Sequence, residues 1–393
     1  MLRSLTPKLI FLSCIFLFLC SCPVLLFAGC TSDHSRSENA DNTIDSEVSR
    51  PEITPEDKLY ASAEDAARIC RDTNSSDTSG LSEQEVIARL GDAGYCAVDT
   101  ANRVNMVNAG QLKDFCLSAA DGSPADATLA AVKSDLDLVF YNFHAVDGEL
   151  QVERCSADWT EDEISVHSYE TFTAVRWEYT EKGYFLFEQY REPGYDGPPG
   201  EFGFRVEPLD SSLRALNERY TLPIGYTLNN MFITDWSEDT GFQALDFYDM
   251  YAIMYEMKYG TPFPYQVSFS GEEYEIPAQE FENVLKTYLA VDTDMIRERT
   301  IYHSNTDSYL YQPRDMGNAE QPYQPVPEVT ACEELSDGTL KLTVEAVWIR
   351  KFTDRAAVSE LVVRTAGNGS FQYVSNHVTL TVDGVTGLWH TPR

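Results

Sequence analysis

Basic residues and histidine are scarce in this chain. It carries 29 Lys plus Arg against 63 Asp plus Glu, with six His, for a formal charge of −34 over 393 residues. Such a charge repels phosphate backbones and anionic headgroups, so it excludes nucleic acid as a partner and a basic patch as a route to the membrane. Past residue 30 no apolar run approaches eighteen residues, so no further stretch is long enough to span a bilayer. No Gly-x-Ser-x-Gly elbow follows a strand, and neither His-Glu-x-x-His nor a phosphate-cradling glycine loop occurs. Five cysteines follow residue 30: Cys70, Cys96, Cys116, Cys155 and Cys332. None sits at Cys-x-x-Cys spacing, which argues against a zinc or thioredoxin-type site, and an odd number leaves a thiol over from any pairing. Buried free cysteines are the expectation. No metal and no cofactor is expected.

What is present begins at the N-terminus. Arg3 and Lys8 form a basic head, an apolar run follows from Leu9 to Phe27, and Ala28-Gly29-Cys30 closes it. A charged head, an apolar middle and a small-residue cleavage site make a secretory signal. Its end resembles the lipobox of bacterial lipoproteins, with Phe27 standing where that pattern has Leu and Leu26 one place earlier. The resemblance implies acylation of the Cys30 thiol and cleavage after Gly29. Two acyl chains on one residue suffice for stable anchoring, so the lipid bilayer is an expected partner through Cys30. With the two leader cations gone, the remainder carries about −36. Residues 1–29 read as the signal peptide and 30–57 as a polar, acidic tether.

From residue 58 the character alternates between helices and strands. Ser62 is a candidate cap for a helix from Ala63 to Cys70. Ser82 and Glu85 form a capping box for a helix ending at Gly91, with Leu81 able to staple onto Val86. A third helix is expected from Gln111 to Ala119. A run of strands follows: Leu136 to His144, Leu150 to Ser156, Ile164 to Phe172, Ala174 to Thr180 and Tyr184 to Tyr190, with tight turns at Asp147-Gly148 and Lys182-Gly183. Helices return at Ser211 to Tyr220, Phe242 to Lys258, after Pro277, and less plainly at Met295 to Arg299. Past a Gln/Pro-rich connector, Gln312 to Pro327, four more strands run from Val329 to Thr381 with turns at Asp337-Gly338 and Asn368-Gly369. This predicts an α+β fold of two helix-plus-antiparallel-meander modules, 58–209 and 210–393, of a cystatin-like or NTF2-like kind. Asp147 to Val152 and Asp337 to Leu342 resemble each other, which is weak evidence of duplication.

Few constellations could carry chemistry. His144 and His167 fall on neighbouring strands with Cys155 between them, so a Cys–His pair is geometrically open. No orienting third group accompanies it, and polar residues on a half-exposed sheet are the preferred reading. His34 falls in the tether and His390 at the tail. Asp72 to Asp77 with Glu83 partly matches a calcium loop, but Asp77 stands where the sharp turn needs Gly, and a helix cap already explains the stretch. Trp159, Trp177, Trp236, Trp348 and Trp389 could include a sugar platform, though aromatic-rich strands ordinarily pack a core. Pro223 to Phe232, with the Gly194 to Gly200 loop, has the composition of a shaped binding loop.

The middle of the chain carries a further resemblance. Tyr179 to Tyr184, Gly194 to Gly197, Pro208-Leu209-Asp210 and Asn229 to Phe232 are similar to a family of predicted lipoproteins from anaerobic Gram-positive bacteria. That resemblance implies export and lipid anchoring, and implies no activity or catalytic residue. The expectation is therefore a membrane-anchored extracytoplasmic lipoprotein with a ligand-binding or structural role, its partner a glycan or a protein. The alternative is an envelope hydrolase working on glycan or peptide through a carboxylate pair, which requires a pocket with two acids, one of raised pKa.

Overall fold

Two strand-rich layers share one small sheet in the computed structural model, which describes residues 54–71, 82–160, 163–266, 271–314, 323–382 and 385. The leader, Cys30, the tether up to residue 53, the Asp72 to Asp77 stretch, Leu81, Trp389 and His390 lie outside these residues.

The first helix, α1 (Pro55–Arg71), starts earlier than its apolar pattern suggests. Thr54 caps it: its hydroxyl accepts from the Asp57 N–H at 3.1 Å, and Asp57 accepts in return from the Thr54 N–H at 3.0 Å. Pro55 then takes the first helical position, where its missing N–H costs nothing. Ser62 caps nothing and donates back to the Lys58 carbonyl. The expected capping box holds on α2 (Glu83–Asp92), where Ser82 and Glu85 bond reciprocally. Gly91 does not end that helix. A Cβ there would lie 2.8 Å from Val107 Cγ2, so the glycine permits a close approach.

After β1 (Ala97–Asp99) and α3 (Gly110–Ala120) come β2 (Ala125–Val132), β3 (Leu138–Val146), β4 (Glu149–Trp159) and β5 (Ile164–Thr173). They form one sheet in that order, with β1 parallel to β2 and the rest antiparallel. Alternation sends Leu138 and Phe140 to one face, against Leu59, Ala63 and Ala66 of α1 and Val86, Ile87 and Leu90 of α2. Tyr141 and Phe143 go to the other, against Leu112, Phe115 and Cys116 of α3 and Phe185, Phe187 and Phe204.

Those last phenylalanines belong to a separate three-stranded sheet, β6 (Arg176–Tyr179), β7 (Tyr184–Glu188) and β8 (Glu201–Arg205). The expected meander thus breaks after Thr173. The chain leaves the sheet edge and folds back over its face, because Phe185 and Phe187 need apolar cover that solvent at the edge cannot give. The other face of β7 is buried too: Tyr184 and Leu186 pack on Val347, Ile349 and Phe352 of the C-terminal half.

That half contains α4 (Ser211–Tyr220), β9 (Trp236–Ser237), α5 (Phe247–Tyr259), β10 (Tyr274–Pro277), α6 (Ala278–Tyr288), α7 (Thr293–Glu298), β11 (Tyr302–His303), β12 (Ser308–Tyr311), β13 (Val326–Glu334), β14 (Leu340–Val347), β15 (Ala357–Thr365) and β16 (Phe371–Thr381). Asp210 caps α4 and Asp246 caps α5, so α5 starts five residues after Phe242. Pro277 is the N-cap of α6 and not its first helical residue. Strands β13 to β16 with β9 form a five-stranded sheet, and β10, β12 and β11 a three-stranded one that composition alone did not reveal. Trp348, Tyr251, Phe281 and Tyr373 sit in their common core. The class is α+β, with helices preceding a meander in each half. All described residues belong to one compact unit. The two similar fragments turn differently. Asp147 and Gly148 both have positive φ (52° and 82°), a two-residue turn, whereas only Gly338 (79°) does in the other, which closes as a three-residue loop.

Candidate functional site

The loop singled out by composition, Pro223 to Phe232, is largely buried, and its asparagines face inward. Asn229 Nδ2 donates to the carbonyls of Ile224 and Thr227 at 3.2 and 3.0 Å, while its Oδ1 accepts from the Met231 N–H at 3.0 Å. Asn230 is likewise turned inward, donating to the Ala244 carbonyl. These side chains hold the loop's shape and do not display it. What the loop does present is Gly225, Tyr226 and Thr227, which form one wall of a cavity of about 310 Å³ between the two halves. The Gly194 to Gly200 loop takes no part in that wall.

The opposite wall comes from Tyr184 and the turn after β1, and the remaining sides from Arg214 and Asn217 of α4 and from Val326 and Glu328 of β13. Each is held in place. Asp99 accepts from the backbone N–H groups of Arg103 and Val104 at 2.9 and 2.8 Å, which folds that turn tightly. Arg214 reaches across from α4 and donates to the Asn102 carbonyl at 3.0 Å and to Asn105 Oδ1 at 3.1 Å. Asn217 Oδ1 accepts from the Val329 N–H at 3.1 Å, tying α4 to β13.

Glu328 and Tyr184 give the cavity a polar floor and belong to an ion cluster that extends behind it. Glu328 accepts from Arg205 Nη1 at 2.8 and 2.7 Å, from the Tyr184 hydroxyl at 2.7 Å, and pairs with Lys182 Nζ at 3.0 Å. Lys182 also donates to Glu345 at 2.7 Å and to the Asp354 carbonyl at 3.0 Å, and Arg355 completes the set 3.3 Å from Glu345. Burial, then the Glu328 charge, pushes the Tyr184 hydroxyl far above its usual range, so it remains a donor. Three cations face two carboxylates, and among the described residues Arg205 Nε and Asp354 Oδ2 are buried without a hydrogen-bond partner. Pro325, Pro327, Val347 and Ile349 supply apolar wall. Apolar sides over a fixed polar floor are what a small-ligand site needs, and this cavity lies at the lower end of the usual size range.

The other sequence candidates come apart. Cys155 is buried among the residues under α1, where desolvation pushes its thiol up to about 12. His144 and His167 are exposed and turned elsewhere, 2.5 Å from Asp126 and 2.6 Å from Asp158. No Cys–His pair forms. Four of the five described cysteines are buried free thiols. Desolvation pushes Cys70 and Cys96 up to about 12 as well and raises Cys116 further, while Cys332 is exposed. A thiol reagent at pH 8 is therefore expected to modify Cys332 quickly in the native protein and the other four only on unfolding. Fast reaction of any of those four would contradict this burial.

Trp236 and Trp348 are core residues whose indole N–H groups bond the Met231 and Tyr323 carbonyls, and Trp159 and Trp177 pack against the first sheet. None is a platform. Among the described residues no three His, Cys, Asp or Glu side chains are grouped to hold a metal ion. The carboxylates whose pKa departs from the ordinary range are held below it, as Glu207 is by Lys113 and Glu275 by the Ser308 hydroxyl and then His303.

A family model described as a family of unknown function, DUF6070, matches residues 55–393. The chain belongs to the DUF6070 family. The match starts at the first residue of α1, so the DUF6070 domain is the helix-and-sheet body without the leader and tether. No curated protein and no solved structure matches the chain. Among the described residues no helix is long and apolar enough to cross a membrane.

Proposed function

We propose that the protein is a lipid-anchored extracytoplasmic lipoprotein of the kind found in anaerobic Gram-positive bacteria. In this reading its DUF6070 body binds a small, partly apolar ligand in the cavity between its halves. The leader ending in Ala28-Gly29-Cys30 carries the anchoring. The cavity walled by Tyr184, Tyr226 and Val326 over the Glu328 cluster supports the binding. Hydrolysis through a carboxylate pair is less well supported. Its general acid needs a raised pKa, whereas the carboxylates with shifted values are shifted down.

Labelling with radioactive palmitate tests the anchor. The wild-type chain takes up label and sediments with membranes, and Cys30→Ser does neither. Label retained by Cys30→Ser would refute it. For the cavity, the full chain in detergent micelles is screened by thermal shift against cell-wall sugars, muropeptides and amino acids. A ligand at about a hundred times its Kd adds about 2.7 kcal/mol of stability. Val326→Trp, which places an indole in the cavity from a half-exposed position, is expected to abolish that shift without lowering the melting temperature of the free protein. A shift that survives in Val326→Trp would place binding elsewhere.

A further inference from the structure

The first sheet has an edge that its own chain leaves open. Strand β1 pairs only with Ala130 to Val132, so the Ala125 to Leu129 half of β2 is bonded on the β3 side alone. In an antiparallel strand successive residues point their backbone groups to opposite sides. The Ala130 N–H bonds the Cys96 carbonyl on the β1 side, so Asp126 and Thr128, at the same parity, aim their N–H and C=O groups outward. Both residues are exposed. Natural edges are ordinarily blunted by bulges, prolines or charge. The opposite edge strand, β5, carries a bulge across from Arg154/Ser156, but β2 runs in unbroken register.

Alongside this open edge lies a long groove of about 1090 Å³. Asp114 and Ser118 of α3 line it, with Asp126 and Thr128 of β2, Glu153 from the sheet face and Lys58 from the first turn of α1. A strand edge beside a helix is the geometry by which sheets take up an extended peptide, main chain to main chain. The lining carries three carboxylates against one lysine and His144, whose ring lies 2.5 Å from Asp126, in a chain of charge −34. The segment 31–53, which joins the fold beside Pro55, carries six acids and two arginines and would be repelled.

We propose that the Ala125 to Leu129 edge of β2 captures an extended basic peptide segment of a partner protein, which adds a sixth strand to the sheet beside β2. The outward N–H and C=O groups of Asp126 and Thr128 bind its backbone, Asp126 and Glu153 on one face of the sheet select Lys and Arg at alternate positions, and Asp114 adds negative charge on the α3 face. This interaction is independent of the cavity between the halves.

The test is selection from a phage-displayed library of short random peptides on the full chain in lipid nanodiscs, followed by amide hydrogen exchange. The expected winners are basic, alternate Lys or Arg with β-branched residues, and slow exchange at Asp126 and Thr128 by about ten-fold or more, those amides being fast in the free protein. Thr128→Pro removes only an outward N–H, which an edge strand tolerates, and should weaken the winners about ten-fold or more at unchanged melting temperature. Should that variant unfold, Asp114→Lys with Asp126→Lys keeps the edge and should weaken basic peptides by a similar factor. Acidic winners, peptides that bind Thr128→Pro as well as wild type, slow exchange at these amides in the free protein, or β2-to-β2 dimers in sedimentation would each overturn the proposal.

Discussion

Glu328→Ala is expected to cost about 3–5 kcal/mol of unfolding free energy, read from urea denaturation by circular dichroism. The carboxylate is buried, and its removal leaves Arg205 without its ion-pair partner in the interior, the Tyr184 hydroxyl without an acceptor and Lys182 with Glu345 and the Asp354 carbonyl. The size of the loss reflects the stranded guanidinium more than the attraction it had enjoyed. Replacing Arg205 and Glu328 together by Met should accordingly recover most of it, since the orphaned charge disappears with its partner. A double-mutant cycle would then return a coupling of about 2 kcal/mol or more. A single mutant costing less than about 1 kcal/mol would mean that the cluster does not hold the halves together.

Phe187→Ala should cost a comparable amount, about 3–5 kcal/mol. Its ring stacks on Phe202 at 5.0 Å and meets Phe143 edge-on at 5.3 Å, with Phe185 at 5.2 Å. These contacts join the small sheet to the large one. Tyr190→Ala, close by in sequence but 62% exposed, is the control and should stay within about 0.5 kcal/mol. Equal losses at the two positions would show that the interior had been misassigned.

The elements that could be read from residues alone were those with strong local signals. The Ser82–Glu85 capping box, the helix from Ser211 to Tyr220, the strand from Phe371 to Thr381 and the Asp147-Gly148 turn all fall where local chemistry puts them. Strand β2 escaped because Ala125-Asp126-Ala127-Thr128 has little strand propensity, and its pairing with β3 overrides that. The passage from β5 to β6 could not be read either. Alternating residues on the two sides of Thr173 look alike whether the strands share a sheet or stack face to face. At the cavity, the loop around Tyr226 was visible through its Gly, Pro and Asn content, but for the opposite reason to its use: the asparagines fasten it, and Gly225, Tyr226 and Thr227 form the wall. Glu328, Lys182 and Arg205 gave no signal at all. Glu328 lies over a hundred residues along the chain from both cations, and among so many acids no single glutamate stands out.

Strand β7 is five residues long and belongs to two cores at once. As the chain grows from its N-terminus, Phe185 and Phe187 find Tyr141 and Phe143 already made. Tyr184 and Leu186 must wait for Val347 and Ile349, more than 150 residues further on, and Tyr184 for Glu328. During synthesis the first half therefore carries a sticky, unfinished face for as long as the second half takes to appear. A chain cut short before β13 would keep that face permanently, which makes premature truncation more dangerous to this protein than its loss of residues alone would suggest.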